Sequence, residues 1–205
     1  MNSKLAADKA ELRRRRLGWR RQLGPAELAA AGRSIRDAVL DLPETQMAGT
    51  VAGYWSIGAE PDTHGLLFAL WKRGTYVLLP VLQPDGDLDW ASYEGPDSLR
   101  PGPRGLLEPA EPARGLGAVC SADLVLVPAL AVDQSGLRLG RGGGSYDRAL
   151  ARVGAQVPTV ALLYDPELVP VVPAGPHDQR VRMAARPSAG VTRLPASGGS
   201  GMLRE

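Results

Sequence analysis

ADLVLVPALAVDQSGLRLGRGGGSYDRAL, residues 122–150, opens with an uninterrupted apolar run, Leu124 to Val127, between Asp123 and Pro128. A run this short and this rich in Val and Leu predicts a strand covered on both faces, as inside a parallel sheet. Gln134, Ser135 and Gly136 form a polar turn, and a glycine-dense loop follows at residues 140–144, with Arg138 before it and Arg141 within it. Residues 145–150 read as the opening of a helix. Glycines let a backbone approach a ligand closely and take positive φ, and their N–H groups can turn inward as an anion nest. The helix start behind them adds partial positive charge. Arg138 and Arg141 add forked donors. Asp147 adds a hard oxygen of the kind that holds magnesium beside a phosphate chain. Together these residues make a site for a metal-bound phosphate chain; the competing reading is a flexible glycine-rich surface loop. The dinucleotide GxGxxG pattern fails because Ser145 stands where its third glycine belongs, and the Walker pattern fails because no Lys-Ser or Lys-Thr follows.

Outward from this stretch, 205 residues with 44% hydrophobic content suit one globular domain with a full core. No apolar run approaches the roughly 20 residues of a membrane span. The basic N-terminus lacks the apolar centre of a signal peptide. A single cysteine, Cys120, reads as a small core residue and agrees with a reducing compartment, so a cytoplasmic location is expected. The net charge of +2 makes no demand for nucleic acid. A monomer acting on small molecules, away from membranes, is the expectation.

Residues 4–23 predict a helix with Leu5, Leu12, Trp19 and Leu23 on one face and a strongly basic remainder, Lys9, Arg13, Arg14, Arg15, Arg16, Arg20 and Arg21. Such a run is most often a solvated face, and otherwise a nucleic-acid or anion patch. Lys9 and Arg13, four apart, project from one side and can grip one phosphate together. Gly24 ends this helix and Pro25 opens the next, through about residue 40. Residues 49–55 predict a strand, followed by a loop in which Asp62 or Thr63 caps a helix over residues 66–71. His64, with no second His or Cys at ligand spacing, reads as a surface histidine. Further strands are predicted at 75–81, 88–93 and 157–164, and a long Pro/Gly-rich loop at 94–112 that closes over a site or wraps the sheet. The alternation predicts an α/β domain: an open, largely parallel sheet with helices on both faces, a Rossmann-like three-layer arrangement, over residues 1–187. Residues 188–205, rich in Gly and Ser, are expected to be a flexible tail.

The positions Asp133, Gly136, Arg138, Leu139, Gly140, Gly142, Gly144, Tyr146 and Asp147, behind the apolar strand and Pro128, resemble the signature of the 5-formyltetrahydrofolate cyclo-ligase (methenyltetrahydrofolate synthetase) family. The spacing Lys9-x-x-Leu12-Arg13, the run Ser56-x-x-x-Glu60-x-x-Thr63, the segment 105–109 and Asp178 extend the likeness. The resemblance implies an enzyme that converts 5-formyltetrahydrofolate and ATP to 5,10-methenyltetrahydrofolate, ADP and phosphate by phosphorylating the formyl oxygen. It implies ATP binding by Lys9, Arg13 and residues Arg138, Leu139, Gly140, Arg141, Gly142, Gly143, Gly144, Ser145 and Tyr146. Folate binding falls to Trp55, Glu60, Arg141, Gly142, Gly143, Gly144 and Ser145, with Glu60 on the donor edge of the pterin. Arg141 and Tyr146 are the expected catalytic residues, Asp147 the Mg2+ ligand, and Mg2+ with ATP the expected requirement. This chain departs from the pattern at Arg182, where the family has a second metal-linked acid, and at Ser145 and Gly143, where an aromatic residue and a lysine often stand. Either one carboxylate with phosphate oxygens suffices for the metal or Asp178 compensates. A non-catalytic folate- or nucleotide-binding paralogue is the alternative these departures motivate.

Overall fold

The computed structural model describes residues 2–195. Its centre is a seven-stranded sheet. In chain order the strands are β1 (Thr50–Ala52), β2 (Tyr76–Leu82), β3 (Leu88–Ser92), β6 (Leu124–Pro128), β9 (Thr159–Leu162), β11 (Met183–Arg186) and β12 (Gly190–Arg193). Their spatial order is β12-β11-β9-β6-β1-β2-β3. The five inner strands run parallel, whereas β3 and β12 are antiparallel edges. This is the expected α/β architecture with a mostly parallel sheet.

The alternation of β6 explains why it reads as continuously apolar. Leu124 and Leu126 join one buried cluster with Ile35, Val39, Leu66 and Leu70, from helices α2 (Pro25–Leu40) and α4 (His64–Lys72). Val125 and Val127 join the other, with Ala149 and Leu150 of α5 (Ser145–Arg152). Side chains alternate along a strand, so a strand between two helical layers must be apolar at every position. A short helix, α3 (Pro43–Met47), leads into β1.

From β1 the chain adds β2 and β3 on one side; β6, β9, β11 and β12 then build the other. The direction of winding therefore reverses between β1 and β6, and in open sheets ligands collect outside the carboxyl ends of the strands at such a point.

Two smaller sheets flank that end. β7 (Ala131–Asp133) and β8 (Arg138–Leu139) form a hairpin beside β10 (Leu168–Val169), and Leu12 of helix α1 (Asn2–Arg20) packs on this layer. Asp133 pins the turn: its Oδ1 accepts from the Ser135 and Leu137 amides and its Oδ2 from Val172. Gly136 has φ 85°, and a Cβ there would lie 2.3 Å from the Val181 carbonyl oxygen, so only glycine fits.

Several expectations are corrected. The 94–112 loop contains a second hairpin, β4 (Leu99–Pro101) and β5 (Leu107–Pro109), which packs on β2. Its prolines and glycines hid a strand pair that lies outside the main sheet. The tail expected from Ser188 begins instead with β12, whose residues pair with β11; the remainder of that expectation lies outside the described residues. Arg20 is not on a solvated face but 3% exposed, and Cys120 is exposed while its neighbour Val119 fills the core. Thr63 does not cap α4 with its side chain, since its hydroxyl accepts the Ser56 amide and donates to the Tyr54 carbonyl; Asp62 Oδ1 instead accepts the His64 amide at the helix start, 3.2 Å away. Among the described residues no helix is long and apolar enough to cross a membrane.

Candidate active site

A cavity of about 860 Å³ opens at the carboxyl end of the sheet, at the reversal point. It falls at the upper end of the ~300–1,000 Å³ usual for small-molecule sites. Tyr54 and Trp55 enter it from the end of β1, Pro80 and Leu82 from β2, and Pro128 to Leu130 from the end of β6. The 140–144 loop and the start of α5 close one wall, and Lys9 and Arg13 lean in from α1. The structure thus brings together, around one space, Lys9, Arg13, Trp55, Glu60 and the whole stretch from Arg138 to Asp147.

None of the amides from Gly140 to Gly144 donates to an acceptor among the described residues. They are five consecutive donors without a protein partner. Gly142 has φ 107°, a backbone conformation that side chains disfavour, and the Arg13 guanidinium lies over it. Arg13 Nε donates to the Gly140 carbonyl at 2.8 Å, so the helix is tied directly to the loop.

The charged groups are mostly paired. Lys9 Nζ donates to both oxygens of Asp178, at 2.7 and 2.5 Å, rather than standing free beside Arg13. Burial pushes the Asp178 carboxyl up, but the Gly175 amide and Lys9 more than offset this and hold it below the usual carboxylate range. Arg138 is almost fully buried; it donates to Asp147 Oδ1 at 2.9 Å and its Nε has no protein partner. Desolvation works against the Arg138 charge, with Asp147 opposing it. Asp147 Oδ1 also accepts the Gln179 amide. Arg141, half-exposed, reaches across to Glu60: Nε donates to Oε1 at 3.0 Å, while Glu60 Oε2 accepts the Ile57 amide. Leu139 is buried beneath the loop and contributes packing.

Two tyrosines face the same space. Tyr146 and Tyr54 both have enclosed hydroxyls without a protein partner, and burial raises both phenols far above their ordinary pKa, with Glu60 adding to it. Tyr54 was not singled out by sequence; its signal was its place beside Trp55 at the carboxyl end of β1. Trp55 is backed by His64, whose ring stacks on it at 3.8 Å and 13°. Ser145 turns away from the loop: its hydroxyl donates to the Gly86 carbonyl, and Arg148 donates to the same oxygen. These two residues of α5 latch the β2–β3 turn against the site. Glu108, which sequence left without a role, is 5% exposed, and its Oε1 accepts the Leu82 amide, fastening the β4–β5 hairpin to the cavity wall.

For a metal the protein offers little by itself. Among the described residues no group of three or more His, Cys, Asp or Glu could hold an ion. Arg182 is exposed, and Asp178 is committed to Lys9.

The model of the 5-formyltetrahydrofolate cyclo-ligase family matches residues 5–187. The chain belongs to that family. The expectation of an enzyme of that family is met. A relative from Mycolicibacterium smegmatis, named 5-formyltetrahydrofolate cyclo-ligase, is 41% identical over 150 residues, 71% of this chain and 77% of the relative. One of the same name from Escherichia coli K12 is 32% identical over 172 residues, 82% of this chain and 94% of the relative. The solved structure of Aquifex aeolicus 5,10-methenyltetrahydrofolate synthetase superposes with a TM-score of 0.78 at 26% identity, covering 96% of this chain and 99% of that one.

Proposed function

We propose that this family member cyclises 5-formyltetrahydrofolate to 5,10-methenyltetrahydrofolate at the expense of ATP. The observation that carries the reading is the run of unpartnered amides from Gly140 to Gly144, under Arg13, in one cavity with two unpartnered tyrosine hydroxyls. Nests of this kind bind phosphate oxygens, and a tyrosine hydroxyl on the cavity wall with no protein partner is a donor free to meet a ligand there.

In the proposed reaction the formyl oxygen attacks the γ-phosphorus and the bond to ADP breaks. The aryl amine N10 then adds to the activated formyl carbon, N10 loses its proton, and phosphate leaves as the ring closes. Most of the work is positioning and charge stabilisation. The loop amides and Arg13 hold the phosphates. Arg141 exchanges Glu60 for the transferring phosphoryl group, and the released Glu60 carboxylate receives the N–H edge of the pterin. Tyr54 and Tyr146 donate to oxygens near the formyl group; both stay protonated, since burial holds their pKa high. Trp55 walls the pterin ring.

The donor set fits a magnesium ion that arrives with the nucleotide. Asp147, oriented by Arg138 and Gln179, would be its protein ligand beside phosphate oxygens and water, as magnesium allows. Such an ion supplies neutralisation of phosphate charge.

The test gives purified protein 5-formyltetrahydrofolate, ATP and magnesium and follows the near-ultraviolet absorbance of the methenyl product. Product that requires ATP supports the proposal. ATP binding without any product would replace it by the non-catalytic alternative.

A further inference from the structure

We infer that Arg104, at the tip of the β4–β5 hairpin, binds the acidic glutamyl tail of the folate, a specificity contact distinct from the phosphate groups. The inference rests on the reading proposed above.

Its first support is the state of the cations that line the cavity. Lys9 faces Asp178, Arg138 faces Asp147, Arg141 faces Glu60, and Arg148 holds the Gly86 carbonyl beside Asp87. Of the lysine and arginines lining the cavity, only Arg13 and Arg104 lack a carboxylate within ion-pairing distance among the described residues. Arg13 is spoken for by the glycine loop. Arg104 makes no side-chain hydrogen bond or ion pair with the described residues, yet it lines the cavity.

Its second support is the surrounding wall. Arg104 stands on the hairpin that packs on β2, an element separate from α1 and α5, which carry the phosphate groups. The lining beside it is apolar: Pro80, Leu82, Leu106 and Leu107. The nearest carboxylate on its own hairpin, Glu108, is buried and committed to the Leu82 amide. A ligand running along this wall is favoured if it is a flat apolar group that ends in negative charge. A folate has that order of parts: pterin, p-aminobenzoyl ring, glutamate.

Its third support is the backbone. Arg104 has φ 57° and ψ 25°, and it is the only non-glycine residue among those described with positive φ. Gly105, with φ 75°, follows. Glycine or asparagine adopts this conformation with less strain, so a long cationic side chain here calls for a functional reason. The turn is fixed: the Gly102 amide donates to the Leu106 carbonyl at 2.8 Å, and a Cβ on Gly102 would lie 2.6 Å from the Glu108 carboxyl carbon.

The experiment compares Arg104→Asn, which suits the backbone, and Arg104→Lys, which keeps the charge, with the unaltered protein. Three substrates are used at saturating ATP: 5-formyltetrahydropteroate, which has no glutamate, and the mono- and triglutamate forms of 5-formyltetrahydrofolate. Arg104→Asn is expected to raise KM for the monoglutamate about three- to tenfold, the weight of one partly screened ion pair, and more for the triglutamate. KM for the tail-less substrate, KM for ATP and kcat should stay within about twofold, and Arg104→Lys should recover most of the loss. The difference should shrink as salt is raised. An equal rise for all three substrates, a rise in KM for ATP alone, or no change would overturn the inference. Equilibrium binding of the same three ligands reads the tail preference without turnover. Failure of the unaltered protein to form methenyl product from any substrate counts against the proposed reaction; normal turnover without tail dependence counts against Arg104 alone.

Discussion

Arg141→Ala separates a residue that reacts with phosphate from one that holds the fold. Arg141 Nε lies 3.0 Å from Glu60 Oε1. Two unit charges at that distance interact by about 1.4 kcal/mol in bulk water and about 5.5 kcal/mol at an effective dielectric of about 20. The Arg141 side chain is 51% exposed, so solvent screening and the ordering of a long side chain cut the net value to about 0.2–1 kcal/mol. Glu60 keeps its bond from the Ile57 amide when Arg141 is removed. For a chain of this length about 1 kcal/mol moves Tm by about 2–4 °C, so the melting temperature should fall by no more than about 4 °C. Turnover should fall far more. Removing one donor aimed at developing transition-state charge costs about 10²- to 10³-fold in kcat. Thermal unfolding and the rate of methenyl formation, measured on the same preparation, give both numbers. A rate within about threefold of the unaltered protein, or a melting temperature lowered by more than about 8 °C, would refute the assignment.

Glu167→Leu leaves the Arg20 guanidinium buried without its acid, which should cost about 3–5 kcal/mol; the double change Arg20→Met with Glu167→Leu should recover most of that loss in thermal unfolding. Gly142→Ala forces a Cβ onto a residue at φ 107° and 3.4 Å from the Arg13 Cζ; stability should fall by about 1–2 kcal/mol and the affinity for ATP, measured by calorimetry, by at least about tenfold. Asp87 is held below the usual carboxylate range by the Arg152 fork, against the opposing effect of burial. The unfolded chain therefore binds more protons near pH 4, so this contribution is present above the ordinary aspartate pKa and is lost as pH falls through the lowered native value. Unfolding by denaturant should show Asp87→Asn less stable than the unaltered protein at pH 7 and nearly equal to it at the acid end of the titration.

Period and punctuation were enough for five of the seven strands of the main sheet; β11 and β12, at its far edge, went unread. Leu124 to Val127 announced a strand covered on two faces, and Gly24-Pro25 marked the junction of α1 and α2. The glycine loop stood out in the sequence because the role proposed for it lies in the backbone itself. What sequence missed were facts about partners distant in the chain. Arg20 looks like any other arginine of a basic helix until Glu167 and the Ala129 carbonyl meet it. Ser145 looked like a lost aromatic wall, whereas its hydroxyl reaches Gly86. Tyr54 looked like strand core, and indeed it packs there; only its place on the cavity wall and its unpartnered hydroxyl set it apart. The β4–β5 hairpin was concealed because short strands rich in Pro and Gly carry little period-two signal.

The way α1 is fastened has a mechanical consequence. Its carboxyl end is riveted by Arg20, which forks onto Glu167, holds the Ala129 carbonyl and lies 5.4 Å from the Tyr164 ring centre. Lys9 lies about 16 Å further along the axis, at about 1.5 Å per residue, and its end of the helix is tied by polar contacts to the very loops a nucleotide would touch. The helix is thus a lever with a dry fulcrum and a wet tip: a tilt of about 4° at the rivet displaces Lys9 by about 1 Å, a misplacement that can cost about 10²-fold in rate. Damage at Glu167, which lines no part of the cavity, should therefore slow turnover as well as lower the melting temperature.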